Sequence, residues 1–342
     1  MRTAYYKPYR LNFKTPVLTS RGRMQVKNGY YLFVTDGKNT GTGECSFIEG
    51  LSADDLGTYE STLENLCNNI NSNSLPDFSH HPSMAFGYQT AMLDLKNGGN
   101  KILFESDFTR GEKSIPINGL VWMGTKEFMH RQILQKLEEG FKCIKLKVGA
   151  LNFEEEISLL RYIRQHFPKE QIEIRLDANG AFTGGDVFQK LEALAPFHIH
   201  SIEQPVKAGQ WGLMKKVCTH SPIPVALDEE LIGISGEEDA RNLLQEINPA
   251  YIILKPSLLG GLNVCDHWIA LAESLGIGWW ATSALESNIG LNAIAQWVFT
   301  KNNPMVQGLG TGSLYTNNVQ SPLVVEDGML HYRSNTAWEL LS

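Results

Sequence analysis

The chain has 342 residues, 42% hydrophobic and 20% charged, with a formal net charge of −7. This length suits two unequal domains or a barrel with an added piece, and the composition supports a large core and excludes a disordered chain. An acidic balance without a basic stripe excludes nucleic acid as a partner, and no run approaches the ~20 apolar residues of a membrane span.

In chain order, residues 3–13 and 29–36 (GYYLFVTD) are aromatic and β-branched and predict strands, with Gly41, Gly43 and Ser46 marking a turn or loop after them. A helical pattern starts near Ser52 and breaks between Pro76 and Pro82. A second helix around 83–97 carries Met84, Tyr88, Ala91 and Leu93. Strands followed by helices predict a separate α+β capping domain over 1–110. From residue 112 the rhythm changes. Strand candidates at 115–122, 143–148, 172–177, 199–203, 224–228, 250–255, 277–283 and 304–309 alternate with helical segments such as 153–167, where Ile157, Leu160, Ile163 and Phe167 share a face. The pattern predicts an α/β fold, a (β/α) barrel of the modified TIM type over 111–319. An open doubly wound sheet is the competing architecture, weakened by the lack of G-x-G-x-x-G after the first strand. The last stretch, 320–342 with VVEDGMLHY, is expected to return to the capping domain.

The five cysteines, Cys45, Cys67, Cys143, Cys218 and Cys265, form no CxxC pair, which points to reduced thiols in a cytoplasmic protein. The start, MRTAYYKPYR, has no apolar stretch after its basic residues, so no signal peptide is expected. Trp279 and Trp280, His80 and His81, His198 and His200, and the Gly260-Gly261 pair read as core packing, loop and turn residues.

A barrel of this kind carries its chemistry at the C-terminal ends of the strands. There the chain places Lys145 and Lys147, then Asp177 with Asn179, Glu203, Asp228 with Glu229, and Lys255. Neighbouring strands lie about 5 Å apart, so Asp177, Glu203 and Asp228 would repel one another unless a cation neutralised them. Hard oxygen donors suit Mg²⁺, with Mn²⁺ as the alternative. Taken singly, each acid reads better as a strand-end cap or half of a surface ion pair. Alternation puts Lys145 and Lys147 on one side of their strand, facing the barrel interior or its mouth. Lys255 lies across an eight-stranded ring from them, so a small carboxylate substrate would sit between Lys147 and Lys255. Lysines there are expected to have lowered pKa values and to remove a proton next to the carboxylate, the metal stabilising the resulting enediolate. The plainer alternative is three solvated lysines balancing the acids.

KLK, DAN, EQP, LDE and KP, in this order on successive strands, resemble the enolase superfamily and within it the muconate-lactonising-enzyme subgroup, over nearly the whole chain. The resemblance implies Asp177, Glu203 and Asp228 as Mg²⁺ ligands, Lys147 as acid/base on one face and Lys255 on the other. It implies that Lys145 tunes Lys147 and contacts the substrate carboxylate, and that Asn179 and Glu229 support the metal. SALESNIGL (283–291) looks like the seventh-strand motif of the o-succinylbenzoate synthases, lyases that remove water from a cyclohexadiene carboxylate in menaquinone biosynthesis. Ser283, Gly308 and Gly310 would then offer hydroxyl or backbone N–H donors to the far carboxylate of the substrate. Dipeptide epimerases carry D-x-D on the eighth strand, whereas this chain has no acid between Gly308 and Tyr315. The alternatives are a racemase, epimerase or cycloisomerase of the same subgroup and, in another class, a non-catalytic binding barrel. Loops 19–24 and 46–52 of the capping domain would close over the mouth, Ser20–Gly22 as a lid. Arg21 or Arg23 would meet a substrate carboxylate, against the reading of an ordinary solvated arginine.

Overall fold

The computed structural model describes residues 1–19, 22–72 and 77–341. Pro76, and Ser20 and Arg21 of the expected lid, lie outside them. The chain begins with three antiparallel strands, β1 (Thr3–Thr19), β2 (Gly22–Thr35) and β3 (Thr40–Cys45), in the order β1-β2-β3, followed by α1 (Tyr59–Asn68) and α2 (Pro82–Lys96). The first two strands run well past the ends expected from their aromatic stretches, so much of the 19–24 segment is strand. Helix α2 packs backbone to backbone on β3. A Cβ on Gly41 would lie 2.0 Å from the Ala91 carbonyl oxygen and one on Gly43 1.9 Å from that of Gly87. Only glycine permits that approach, which explains the T-G-T-G spacing of the strand. Leu32, Val34, Leu63, Leu66 and Met84 form the core between sheet and helices.

The second part opens with β4 (Ile115–Pro116) and β5 (Gly119–Val121), then alternates: α3 (Lys126–Glu138), β6 (Cys143–Lys147), α4 (Phe153–His166), β7 (Glu173–Asp177), α5 (Val187–Leu194), β8 (Ser201–Glu203), α6 (Trp211–His220) and β9 (Val225–Leu227). It continues with α7 (Glu237–Ile247), β10 (Tyr251–Leu254), α8 (Pro256–Leu259), α9 (Leu262–Ser274), β11 (Gly278–Ala281) and α10 (Asn288–Thr300), and ends in β12 (Leu323–Glu326) and β13 (Met329–Tyr332). The helices start where the sequence supplies caps: Asn152 accepts from the Glu154 N–H at the head of α4, three glutamates follow in the first turn, and Arg164 and His166 stand in the last.

Strands β5 to β11 form one parallel sheet in chain order. The first expected strand, 115–122, is two short pieces, and the eighth, 304–309, is reduced to single bridges. Gln307 pairs with Ile117 and Gly308 with Thr282, which joins β11 back to the first barrel segment. Pro304 has no N–H to give a ladder, and the Gln307 side chain substitutes for one, accepting from Ala281 N–H at 2.8 Å and donating to the Met305 carbonyl at 2.7 Å. The lower barrel is filled by Arg175, buried with its guanidinium 4.2 Å from the Trp280 ring centroid, while Trp279 packs towards Trp297 of α10. The β12–β13 hairpin pairs with β4, and beyond it Trp338 and Leu341 pack against Tyr31 and Phe33 of the capping sheet.

Candidate active site

Parallel pairing sets the site. Lys147 of β6 is the Cα partner of Asp177 of β7, and Asp177 is the partner of Glu203 of β8. Glu203 in turn pairs with Ala226, so Asp228 stands two residues further along, just past the end of β9. The three acids are therefore not level, as strand counting suggested. Two meet side by side, and the third enters from the following turn. Asn179 and Gln204, two residues after Asp177 and one after Glu203, have φ of +43° and +41°. Those bends turn their side chains back across the strand ends. Gln204 accepts from the Asp228 and Glu230 N–H groups and donates to Glu230, tying β8 to β9.

All three lysines sit on these carboxylates. Lys145 Nζ lies 2.5 Å from Glu203 and 3.0 Å from Asp177, Lys147 Nζ 2.9 Å from Asp177, and Lys255 pairs with Asp228. Lys147 also donates to Asn179 Oδ1 at 2.6 Å, and Asn179 Nδ2 donates to Glu229 at 2.9 Å. Every one of these ion-pair side chains is at most 13% exposed. The electrostatics correct the expectation of lowered pKa values for Lys145 and Lys255. Burial works to lower Lys145, but Asp177, Glu203 and Asp228 outweigh it and hold its ammonium well above the ordinary range. Lys255 is raised in the same way, burial being overcome by Asp228 and Glu203. Burial works to raise Asp177, but Lys145, Lys147 and Lys255 hold it far below the carboxylate range. Burial and the Asp177 charge push Glu203 up to about 7.

Among the described residues, no three acidic, imidazole or thiolate groups converge closely enough to make a metal cage as they stand, since each acid is drawn to a lysine. The donor set nonetheless fits a hard divalent cation. Asp177 and Glu203 share Lys145, Asp228 stands beside them on Lys255, and Glu203 Oε1 is buried without a hydrogen-bond partner among the described residues.

A cavity of about 650 Å³ opens above these groups. Lys145, Lys147, Asp177, Asn179, Glu229 and Lys255 line its floor. Since β6 and β10 are four places apart in the strand order, Lys147 and Lys255 flank it from opposite sides. Ser283, Gly308 and Gly310 line its wall. Ser283 Oγ meets Thr311 Oγ1 at 2.5 Å and accepts from the Leu285 N–H. Gly308 cannot donate its N–H to a ligand as expected, because that group is bonded to the Ala281 carbonyl at 2.8 Å. The capping domain supplies Val17, Met24, Lys27 and Phe47, and exposed Arg23 lies at the rim.

Trp122, with Lys147 Nζ 5.9 Å from its ring centroid, was not singled out in the sequence, although it closes a predicted strand and so stands at the mouth. Lys27 was also missed. It is 2% exposed and burial lowers its pKa to about 8; nothing in local sequence marks a strand lysine as buried.

The family model described as "Enolase C-terminal domain-like" matches residues 129–336, and "MenC, N-terminal domain" matches residues 1–95. An o-succinylbenzoate synthase of Desulfotalea psychrophila is 45% identical, over 95% of this chain and 97% of that protein. The chain belongs to the enolase superfamily, in its o-succinylbenzoate synthase family. The crystal structure of MenC from Desulfotalea psychrophila superposes with a TM-score of 0.87 at 41% identity, over 96% of this chain and 99% of that one. The muconate lactonizing enzyme of Pseudomonas fluorescens, at 22% identity and a TM-score of 0.80 over 98% and 96% of the two chains, shares the fold. The capping domain and barrel are thus the architecture of this family. Among the described residues no helix is long and apolar enough to cross a membrane.

Proposed function

We propose that this protein is an o-succinylbenzoate synthase, a cytoplasmic lyase of menaquinone biosynthesis that removes water from a succinyl-substituted hydroxycyclohexadiene carboxylate. The observation that carries the reading is the placement of Lys147 and Lys255 on opposite sides of one cavity, above Asp177, Glu203 and Asp228. Likeness to the Desulfotalea relative along nearly the whole chain supports the substrate.

The ring lies between the two lysines. Neutral Lys147 Nζ takes the proton alpha to the ring carboxylate. The resulting lysine ammonium then gives a proton to the departing hydroxyl, so one C–H and one C–O bond break, a ring double bond forms and water leaves. Asn179 holds Lys147 in place through its amide oxygen. Lys255 supplies positive charge beside the opposite ring face. Asp177, Glu203 and Asp228 would hold Mg²⁺ or Mn²⁺, which supplies charge to the substrate carboxylate and relieves the lysines of their anionic partners. Lys145 neutralises the buried acids and lies within reach of the same carboxylate. Ser283 and the Gly310 backbone face the succinyl arm.

A dipeptide epimerase needs a carboxylate for the substrate ammonium, and the eighth segment from Gly308 to Tyr315 has none. The test is an absorbance assay of the cyclohexadiene substrate with Mg²⁺ and then with EDTA. Fast, EDTA-sensitive aromatisation is expected. A folded, metal-supplied sample with no turnover would overturn the reading in favour of a racemase or cycloisomerase, sought with N-acylamino acids, dipeptides and muconates.

A further inference from the structure

One buried charged group is used neither by the metal site nor by the proton transfers. Glu44, at the end of β3 in the capping domain, is fully buried, yet among the described residues three of the four hydrogen bonds to its carboxylate come from the barrel. Its carboxylate accepts from the Ser287 N–H at 2.8 Å, the Gly290 N–H at 2.8 Å and the Ser287 hydroxyl, and from Tyr9 of β1 at 2.5 Å. It is a cross-domain cap: a negative charge from one domain satisfies two of the N–H groups at the start of α10 in the other, while the N-cap Ser287 hydroxyl and Asn318 take those of Ile289 and Asn288. The approach depends on Gly290, since a Cβ there would lie 3.0 Å from Glu44 Oε2 and 2.8 Å from the Glu286 Cβ. Lys27, buried nearby, is attracted to both Glu44 and Glu286 and offsets their charge.

Helix α10 begins where the cavity wall ends. Ser283, Ala284 and Leu285 line the cavity, and Leu285 is held at φ +66°, a conformation a leucine adopts only under restraint. The restraints are explicit. Leu285 donates to Ser283 Oγ, its carbonyl accepts from Tyr315 at 2.8 Å, and Glu286 accepts from the Ala284 N–H at 2.7 Å and from Ser257, two residues beyond Lys255. Glu44 anchors the far end of this segment.

We propose that Glu44 is a positioning residue: from the capping domain it fixes the segment Ser283–Ser287 and so shapes the pocket for the succinyl arm. This rests on the function proposed above. A wall that grips the arm equally before and during reaction supplies uniform binding, which appears in KM and not in kcat.

The experiment compares Glu44→Gln, Ser283→Ala and the double variant in the aromatisation assay. Glu44→Gln keeps the size but turns an amide towards N–H donors. It is expected to raise KM about tenfold with kcat within about twofold, and the double variant is expected to be no worse than the more impaired single one. Multiplying KM effects, or a lowered melting temperature with KM unaltered, would overturn the proposal. If Glu44→Gln does not fold, Ser287→Ala, which removes a donor on the barrel side only, is read by the same criteria. An inactive wild type overturns the functional reading and the succinyl pocket with it. An active wild type beside an unaltered KM overturns the role of Glu44 alone.

Discussion

Lys147 and Asp177 are register partners on adjacent parallel strands, and their charged ends meet at 2.9 Å. The base thus begins as half of a buried ion pair, and its free electron pair depends on what else neutralises Asp177. Lys147→Ala is expected to lower kcat by about 10³-fold or more, in the upper range for loss of a general base. The fold should survive, because Asp177 keeps Lys145 at 3.0 Å. Lys147→Arg should be equally inactive, since a guanidinium keeps its proton at any pH the protein tolerates. Circular dichroism beside the absorbance assay checks both statements, and an active Lys147→Arg would remove Lys147 from the role of base.

Lys255 separates the two reactions that one flanking pair can support. Racemisation needs a proton acceptor on each face, whereas dehydration through Lys147 needs Lys255 only for charge. Lys255→Ala should therefore keep a trace of aromatisation while losing any racemisation of N-acylamino acids completely. Equal loss of both in a folded variant would show that Lys255 also moves a proton.

The three acids should make stability depend on metal. Mg²⁺ well above its dissociation constant stabilises the folded chain by about 2.7 kcal/mol at a hundredfold excess, and EDTA should reverse this. Glu203→Gln removes the carboxylate whose Oε1 is unpartnered among the described residues and should shrink the Mg²⁺-induced rise in melting temperature. An undiminished rise would place the cation elsewhere. Scanning calorimetry with and without Mg²⁺ makes the comparison.

The floor of the site was readable because parallel strands put chemically loaded residues at equivalent ends. Lys147, Asp177 and Glu203 stand in one line, as the motifs implied. What failed depended on neighbours that no local pattern reveals. Asp228 is offset because the register pairs Glu203 with Ala226, two residues before it, and β9 ends at Leu227. The Lys145 and Lys255 pKa values move up because each ammonium rests on carboxylates from other strands. The Gly308 N–H is taken by Ala281 because the eighth segment closes the ring by bridges. The turn or loop expected around Gly41 and Gly43 is instead strand β3, and nothing local marks its Glu44, whose partner Ser287 is 243 residues away.

Asp54, in the 46–52 loop's continuation, makes the capping domain sensitive to pH. It is buried, and burial pushes its pKa up to about 6 despite hydrogen bonds from Ser83 and the charge of Lys27. A carboxyl whose pKa is higher folded than unfolded binds its proton more tightly in the folded state. Stability therefore falls as pH rises from about 4 to about 6 and is flat above that, by about 3 kcal/mol in all. Asp54→Asn keeps an oxygen to accept from Ser83 and has no charge to bury. Its stability relative to wild type should increase from pH 4 to pH 7, with urea melts at the two pH values as the measurement. A constant difference across that range would mean that Asp54 is ionised at its ordinary pKa, its charge met by Lys27.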